Sequence, residues 1–498
     1  MKRLTPERRE MQHPTLSRSS YLLVLVPVTL FFLITIRPGH DWGGDFAQYI
    51  GHARSLVEGK PYDDIGYVYC PYRPSLGPRE YPPGFPFLLA PLYALFGLSF
   101  IVFKLEMVFF LVASIAVIVF FSKEYISDRA RLAFVLLFAL NPWVVSLKDS
   151  VISDIPFLLA LYLFLVWASK VYASRRFTAR AAVLCGILIF VAYMIRGPGL
   201  LLIPVLLGYD LYDNKRISLF GLMAVLTAIV LILLSKVFFH SEVSYLEQMQ
   251  QWSPDVVLVN AQHYLRTFLR LWPEVLGIEA SKYVVRVLMS LLAIVGLAVR
   301  GRIGIGEVFL AGYVLLILFF PFQQGLRYLL PVIPLYFFYL LIGVEFLARR
   351  TRRGTSRYAM IGAFGILACA SYLSGLVNVV KDARTIPDGP FSVEAVQMIN
   401  YVRENAESDA TLAFRKPRVL ALFTERESTT YPPSAESDLI LEYFAGASVD
   451  YLIIDTHDET DREYLLPLVH ENSSYFREFY RNERFVAYTF TKGSEVDR

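Results

Sequence analysis

Apolar residues in this chain run in long blocks, and the polar residues collect between them. Blocks of roughly 17–24 residues are long enough, as helices, to cross a hydrocarbon core. They fall at about 20–36, 100–121, 131–147, 152–172, 178–195, 198–213, 217–239, 283–300, 304–321, 328–348 and 357–379. This pattern predicts an α-helical polytopic membrane protein with about 11 transmembrane helices. One block does not fit. Gly84 to Gly97 (GFPFLLAPLYALFG) is short and interrupted by Pro86 and Pro91, so an interfacial or re-entrant helix is expected there. From Lys381 onward charge is mixed and the apolar runs shorten. Ala410–Phe414, Val449–Asp455 and Phe485–Lys492 read as strands; Phe391–Asn405 and Glu436–Ala445 read as helices. Residues 381–498 are therefore expected to form a small soluble α/β domain.

Charge orders these segments. Only 18% of the 498 residues are charged, below what a soluble protein of this length carries. Basic residues crowd alternate loops: Lys123/Arg129/Arg131, Lys170/Arg175/Arg176/Arg180, Lys215/Arg216, Arg300/Arg302, and the run Arg349 to Arg357. Cytoplasmic loops collect such residues, which places residues 1–19 inside as a tail. The first block follows Lys2, Arg3, Arg8, Arg9 and Arg18 and ends in Arg37-Pro38-Gly39, so a retained signal anchor is expected. The odd helix count then puts the carboxy-terminal domain outside, with long outer loops over about 37–99 and 240–282. The expected location is the inner (plasma) membrane. Net charge is only +4, and no nucleic-acid partner is expected. Cys70, Cys185 and Cys369 are scattered and form neither a disulfide framework nor a metal knuckle.

Candidate chemistry gathers on the outer side. Phe46, Tyr49, Ile50, Ala53, Leu56 and Val57 recur at helical spacing, and Gly59 and Pro61 stop the helix. Asp45 sits in its first turn, with Gln48 and His52 on the same polar stripe as candidate acceptor or lipid contacts. Asp41 lies four residues before Asp45. Asp154, in Ser153-Asp154-Ile155-Pro156, stands at the mouth of the fourth span, where an ionisable residue is costly unless it faces protein or water. Arg196 and Arg327, followed by Tyr328, stand at outer helix ends against the cytoplasmic bias. Arginine is the natural partner of phosphate oxygens, though snorkelling to headgroups or pairing with a carboxylate would also place it there. Lys148 and Asp149 read as ordinary loop charges. In the second outer loop His263, Arg266 and Arg270 share one helix face, which reads first as a solvated face and otherwise as a guide for an anionic lipid. Glu80 is a candidate metal ligand, but no cluster with strong metal spacing is evident.

Taken together these residues resemble the GT-C membrane glycosyltransferases, which include protein O-mannosyltransferases and lipid A aminoarabinose transferases. The resemblance rests on Gly44-Asp45-Phe46 through Gly59-Lys60-Pro61-Tyr62, on Tyr81-Pro82-Pro83-Gly84 with its short helix, on Ser153-Asp154-Ile155-Pro156, and on Arg327-Tyr328-Leu-Leu-Pro331. It covers about residues 20–380. It implies that Asp45 is the catalytic carboxylate, with Asp41 as the other candidate base, and that Asp154 is functionally required. Arg196, Arg327 and Tyr328 would then bind the donor phosphate. The implied reaction is inverting transfer of a sugar from a polyprenyl-phosphate donor to an acceptor hydroxyl on protein, lipid or glycan. A divalent metal is left open, and membrane lipids are the other expected partners. The alternative is a flippase or transporter of a lipid-linked sugar, which would place its polar residues near the bilayer midplane.

Overall fold

The structure is a computed structural model that describes residues 18–239, 252–275, 278–350 and 354–491. The expected tail over 1–19 lies almost wholly outside the described residues, as do 240–251 of the second outer loop. Each of the eleven apolar blocks contains helix. Five helices are long and apolar enough to cross a membrane: Phe100–Phe121, Asp154–Ser174, Leu219–Phe238, Ser281–Arg300 and Tyr358–Asp382. Tyr21–Ile34, Gly84–Phe96, Ala179–Ile195 and Ile305–Phe319 are shorter apolar helices. The chain is thus a multi-pass membrane protein.

Local chemistry explains where the blocks depart from single rods. The third divides into Asp128–Ala139 and Pro142–Leu147, because Asn141 caps a new helix by accepting from Trp143 N and Val144 N. Pro142 then opens that helix at a position where its missing N–H costs nothing. The sixth begins as a 3₁₀ turn, Gly197–Leu201, before Leu202–Asn214. The Gly84–Phe96 helix has 13 residues, about 20 Å of rise, which is shorter than a hydrocarbon core. The Asp154–Ser174 helix is the centre of the bundle, with 72% of its apolar window buried. Leu219–Phe238, Ser281–Arg300 and Tyr358–Asp382 bury only 28%, 22% and 17% and form the lipid-facing periphery.

The carboxy-terminal segment forms a five-stranded sheet of order β2-β1-β3-β5-β4. The strands are β1 (Thr411–Ala413), β2 (Glu427–Thr429), β3 (Val449–Asp455), β4 (Phe476–Arg481) and β5 (Phe485–Phe490). β1 is parallel to β2 and β3, and β5 runs antiparallel to β3 and β4. Helices Pro417–Thr424, Ser437–Gly446 and Glu459–Glu471 connect the strands. β2 and β4 and two of these helices were not evident in the sequence. β2 has only three residues, and the Phe476–Arg481 run alternates apolar and charged positions weakly.

This sheet is joined to the first long loop rather than tethered to it. Tyr67 bridges Ser428 at the edge strand, with Val68 N donating to Ser428 O at 2.9 Å and Ser428 N to Gly66 O at 2.7 Å. Trp42 packs edge-on against Phe414 and Phe485. The Pro417–Thr424 helix lies against the Gly44–Glu58 helix. The expected loop charges Lys148 and Asp149 are a correction in the same region. Lys148 is fully buried, and its Nζ donates to Thr35 O at 2.7 Å and to Asp149 at 2.6 Å, while Asp149 accepts from Arg37 N at 2.8 Å. The pair therefore fastens the carbonyl end of the first helix.

Candidate active site

Asp45 sits in the first turn of the Gly44–Glu58 helix, where the free N–H groups and the helix dipole favour a carboxylate. Gly59, at φ 67°, ends that helix in a left-handed cap, as the sequence indicates. Asp154 opens the Asp154–Ser174 helix and is 3% exposed. Arg196 follows the Ala179–Ile195 helix as its cap residue, its backbone extended as the chain turns back into the bundle. Arg327 lies in the short turn Gly325–Leu329, which Gly325 enters at φ 58°. These residues, 282 positions apart at the extreme, converge.

Arg327 joins the two carboxylates. Its Nη1 donates to Asp45 Oδ2 at 2.9 Å and its Nη2 to Asp154 Oδ2 at 2.9 Å, with Nε at 3.3 Å from the same oxygen. Arg196 pairs through Nη1 with the same Asp154 oxygen and lies over the Tyr328 ring, 5.3 Å from its centroid. Tyr49 and Ser153 share a hydrogen bond of 2.7 Å, which ties the Asp45 helix to the start of the Asp154 helix. Tyr81 donates to Asp45 Oδ1 at 3.0 Å. Arg418, from the carboxy-terminal sheet domain, donates to Tyr81 Oη at 3.0 Å and lies 3.6 Å from Asp45 Oδ1.

Burial would raise the Asp45 carboxyl, but Arg327, Arg418 and Tyr81 outweigh it and hold it at about 2. Asp45 is thus an anion whose oxygens are both engaged. Three guanidinium groups surround two carboxylates, which leaves one positive charge over at the site. Such a surplus on planar, multidentate donors suits an anionic phosphate.

The structure brings together Asp45, Asp154, Arg196, Arg327 and Tyr328 and leaves the other candidates apart. Asp41 is exposed, accepts from Gly43 N at 2.9 Å and pairs with His40 at 3.0 Å. Gln48 and His52 are buried in the loop's own packing, not open on a polar cavity. Gln48 donates to Pro78 O at 2.9 Å and Arg79 O at 2.8 Å. His52 contacts Tyr62 O at 2.7 Å and stacks on the Tyr62 ring, and burial lowers its imidazole to about 3, so it is neutral. On the Asp255–Leu269 helix, Tyr264 rather than His263 or Arg266 lies beside Arg196 and Tyr328. Glu80 does not join a ligand set: among the described residues no group of three or more His, Cys, Asp and Glu side chains could hold a metal ion. The carboxylates of the cluster already face guanidinium groups, so the donor set fits an anion better than a divalent cation.

Sequence reading missed Tyr81 and Arg418 as site residues. Tyr81 stood in a noted motif, Tyr81-Pro82-Pro83-Gly84, without a role. Arg418 gave no signal, because an arginine outside the apolar blocks is ordinarily a solvated surface charge.

No protein-family model matches the chain, and no curated protein matches its sequence. Its three-dimensional likeness is to GT-C membrane glycosyltransferases, and the chain has the GT-C fold. ArnT from Cupriavidus metallidurans bound to undecaprenyl phosphate superposes with a TM-score of 0.60 at 14% identity, covering 96% of this chain and 99% of ArnT. The oligosaccharyltransferase AglB from Archaeoglobus fulgidus, in complex with an inhibitory peptide and a dolichol-phosphate, gives 0.59 at 13% identity, over 95% of this chain and 74% of AglB. The mycobacterial arabinofuranosyltransferase AftD gives 0.55 at 13% identity, over 97% of this chain and 42% of AftD.

Proposed function

We propose that this chain is an inverting glycosyltransferase that moves a sugar from a polyprenyl-phosphate donor to an acceptor hydroxyl at the extracytoplasmic face. The observation that carries the reading is the Asp45–Arg327–Asp154–Arg196 constellation, assembled from four separate segments at one end of the helix bundle. The lipid phosphates in the ArnT and AglB structures agree in kind with a donor of this class.

The chemistry asks little of the protein beyond charge and position. An acceptor oxygen attacks the anomeric carbon as the bond from that carbon to the phosphate oxygen breaks, and the polyprenyl phosphate departs with the electron pair. Direct displacement inverts the centre. Asp45 takes the acceptor proton as general base. Arg196 and Arg327 neutralise the charge growing on the phosphate, and the Tyr328 ring supports the Arg196 guanidinium through a cation–π contact. Asp154 orients both arginines. Donor phosphate competes with Asp45 for Arg327, so donor entry frees one carboxylate oxygen for the acceptor.

A transporter of the lipid-linked sugar would keep its charges along the bundle interior. Here Asp154 opens a span, Arg196 closes one and Arg327 lies in the turn before another, so the charges stand at helix ends. The test is transfer from polyprenyl-phosphate sugars by the purified, lipid-reconstituted protein and its Asp45→Asn variant. Turnover by the wild type and not by Asp45→Asn is the expected result. Flipping of donor with no transfer to any hydroxyl, water included, would replace the enzyme with the transporter.

A further inference from the structure

We propose that Arg418 is a positioning residue of the active site, so that the carboxy-terminal domain supplies part of the catalytic machinery. This rests on the reading of Asp45 as the base. Arg418 is 5% exposed, although it belongs to the carboxy-terminal sheet segment rather than to the helix bundle. Its guanidinium lies between the rings of Tyr67 and Tyr81, 4.9 and 5.2 Å from their centroids, and Nη2 donates to Leu76 O. A buried guanidinium is costly unless a carboxylate compensates it. Among the described residues the one carboxylate within ion-pair reach of Arg418 is Asp45.

The seat for Arg418 is shaped on both sides. Gly77, at φ +90°, lies against its guanidinium, and a side chain there would be strained and would stand 3.2 Å from Nη2. On the other side Gly44 lies in ordinary contact with its stem, a Cβ placed there standing 3.8 Å from Arg418 Cδ. The Pro417–Thr424 helix that carries it packs on the Asp45 helix, and the Tyr67–Ser428 bridge fixes the domain at the sheet edge.

The division of labour follows from the two oxygens. Asp45 Oδ2 faces Arg327, and Oδ1 faces Tyr81 and Arg418. When donor phosphate draws Arg327 away, Arg418 and Tyr81 remain to keep the carboxylate ionised and aimed. Arg327 serves the phosphate, and Arg418 serves the base.

A general base acts when ionised, so rate falls as pH drops through its pKa. Nearby cations hold the Asp45 carboxyl down, and burial pushes it up. Removing Arg418 therefore moves the acid limb of the pH–rate profile to higher pH, by about one pH unit or more for a lost neighbouring charge. The experiment measures kcat at saturating donor, which reports the complex in which phosphate has drawn Arg327 away from Asp45, from about pH 3 to 8 with the reconstituted full chain and Arg418→Gln, Arg418→Lys, Tyr81→Phe and Asp45→Asn. Arg418→Gln should lose roughly 10-fold or more in rate through misplacement of the base and show the raised limb. Arg418→Lys should keep the limb near its wild-type position. Tyr81→Phe keeps the ring and should raise the limb less, which provides the readout if Arg418→Gln fails to fold. An unmoved limb in Arg418→Gln and Tyr81→Phe, with Asp45→Asn inactive, overturns this proposal alone. An active Asp45→Asn enzyme overturns the base assignment and this proposal together.

Discussion

Asp41 and Asp45 are chemically alike and four positions apart, yet their surroundings differ. Asp41 is exposed and turned back on His40 and Gly43, whereas Asp45 faces the arginine cluster. Asp45→Asn should therefore lower transfer on the order of 10²–10⁴-fold, and Asp41→Asn should change it little. Turnover assays on the two purified variants decide the assignment, and the reverse ranking moves the base to Asp41. Arg327 makes a different demand on its side chain. It reaches Asp45 and Asp154 through separate nitrogens, a bridge that the single ammonium of lysine cannot span with the same geometry. Arg327→Lys should raise KM for donor and rescue only part of the loss seen in Arg327→Ala. The same donor KM in wild type, Arg327→Ala and Arg196→Ala would return both arginines to a structural role. Most of this cluster was legible in the sequence, because a charge at the mouth of an apolar block violates the local pattern. Gln48, His52 and Lys148 were misread for the opposite reason. A polar residue in a loop violates nothing, and only the folded loop shows that carbonyls of Pro78, Arg79, Tyr62 and Thr35 need these side chains as partners.

Elements followed apolar block length closely, since only long apolar runs can lie in a bilayer. Their breaks at Asn141-Pro142 and at Leu201-Leu202 came from capping and turn chemistry inside blocks that hydropathy alone treats as continuous. Helix pairing was not legible at all. The Ser281–Arg300 and Ile333–Arg350 helices make the most extensive helix contact in the molecule, and they do so through glycines. A Cβ placed on Gly296 would collide with Tyr339 O, and one on Gly343 would collide with Leu292 O. Small residues let helix backbones approach where lipid offers no hydrophobic drive to pair them. Gly296→Ala should thus push the helices apart at about 1–3 kcal/mol, the usual cost of overpacking. The expected outcome is a lower melting temperature of the detergent-solubilised protein, with Ala293→Gly on the same helix as a milder comparison. Equal melting of wild type and Gly296→Ala would mean that the two backbones are not in contact.

At the scale of the molecule, the arginine cluster and the basic loops lie at opposite ends of the bundle, and this links orientation to mechanism. The central helix runs from Asp154 at the arginine cluster to Ser174 beside Arg175, and the next returns from Ala179 to Arg196 at the cluster. The basic loops meet one another at the far end. Arg175 pairs with Asp213 at 2.5 Å, Arg300 lies 3.7 Å over the Tyr125 ring and pairs with Glu307 at 2.6 Å, and Ser127 donates to Glu345 at 2.5 Å. The carboxy-terminal sheet sits at the cluster end, held through Trp42, Tyr67 and Arg418. Basic loops stay in the cytoplasm, so the cluster and the sheet domain should lie outside. The Gly84–Phe96 helix, too short to span, preserves the alternation that this orientation needs. A fluorescent reporter that matures only in the cytoplasm, fused after Arg498, should therefore be dark, and a phosphatase active only outside should be active at the same junction. Moving both reporters to Arg302, in a basic loop, should reverse the two signals. A bright cytoplasmic reporter after Arg498 would place the sheet domain inside. Because Arg418 ties that domain to Asp45, the same result would move the catalytic cluster to the cytoplasmic side and exclude transfer at the outer face.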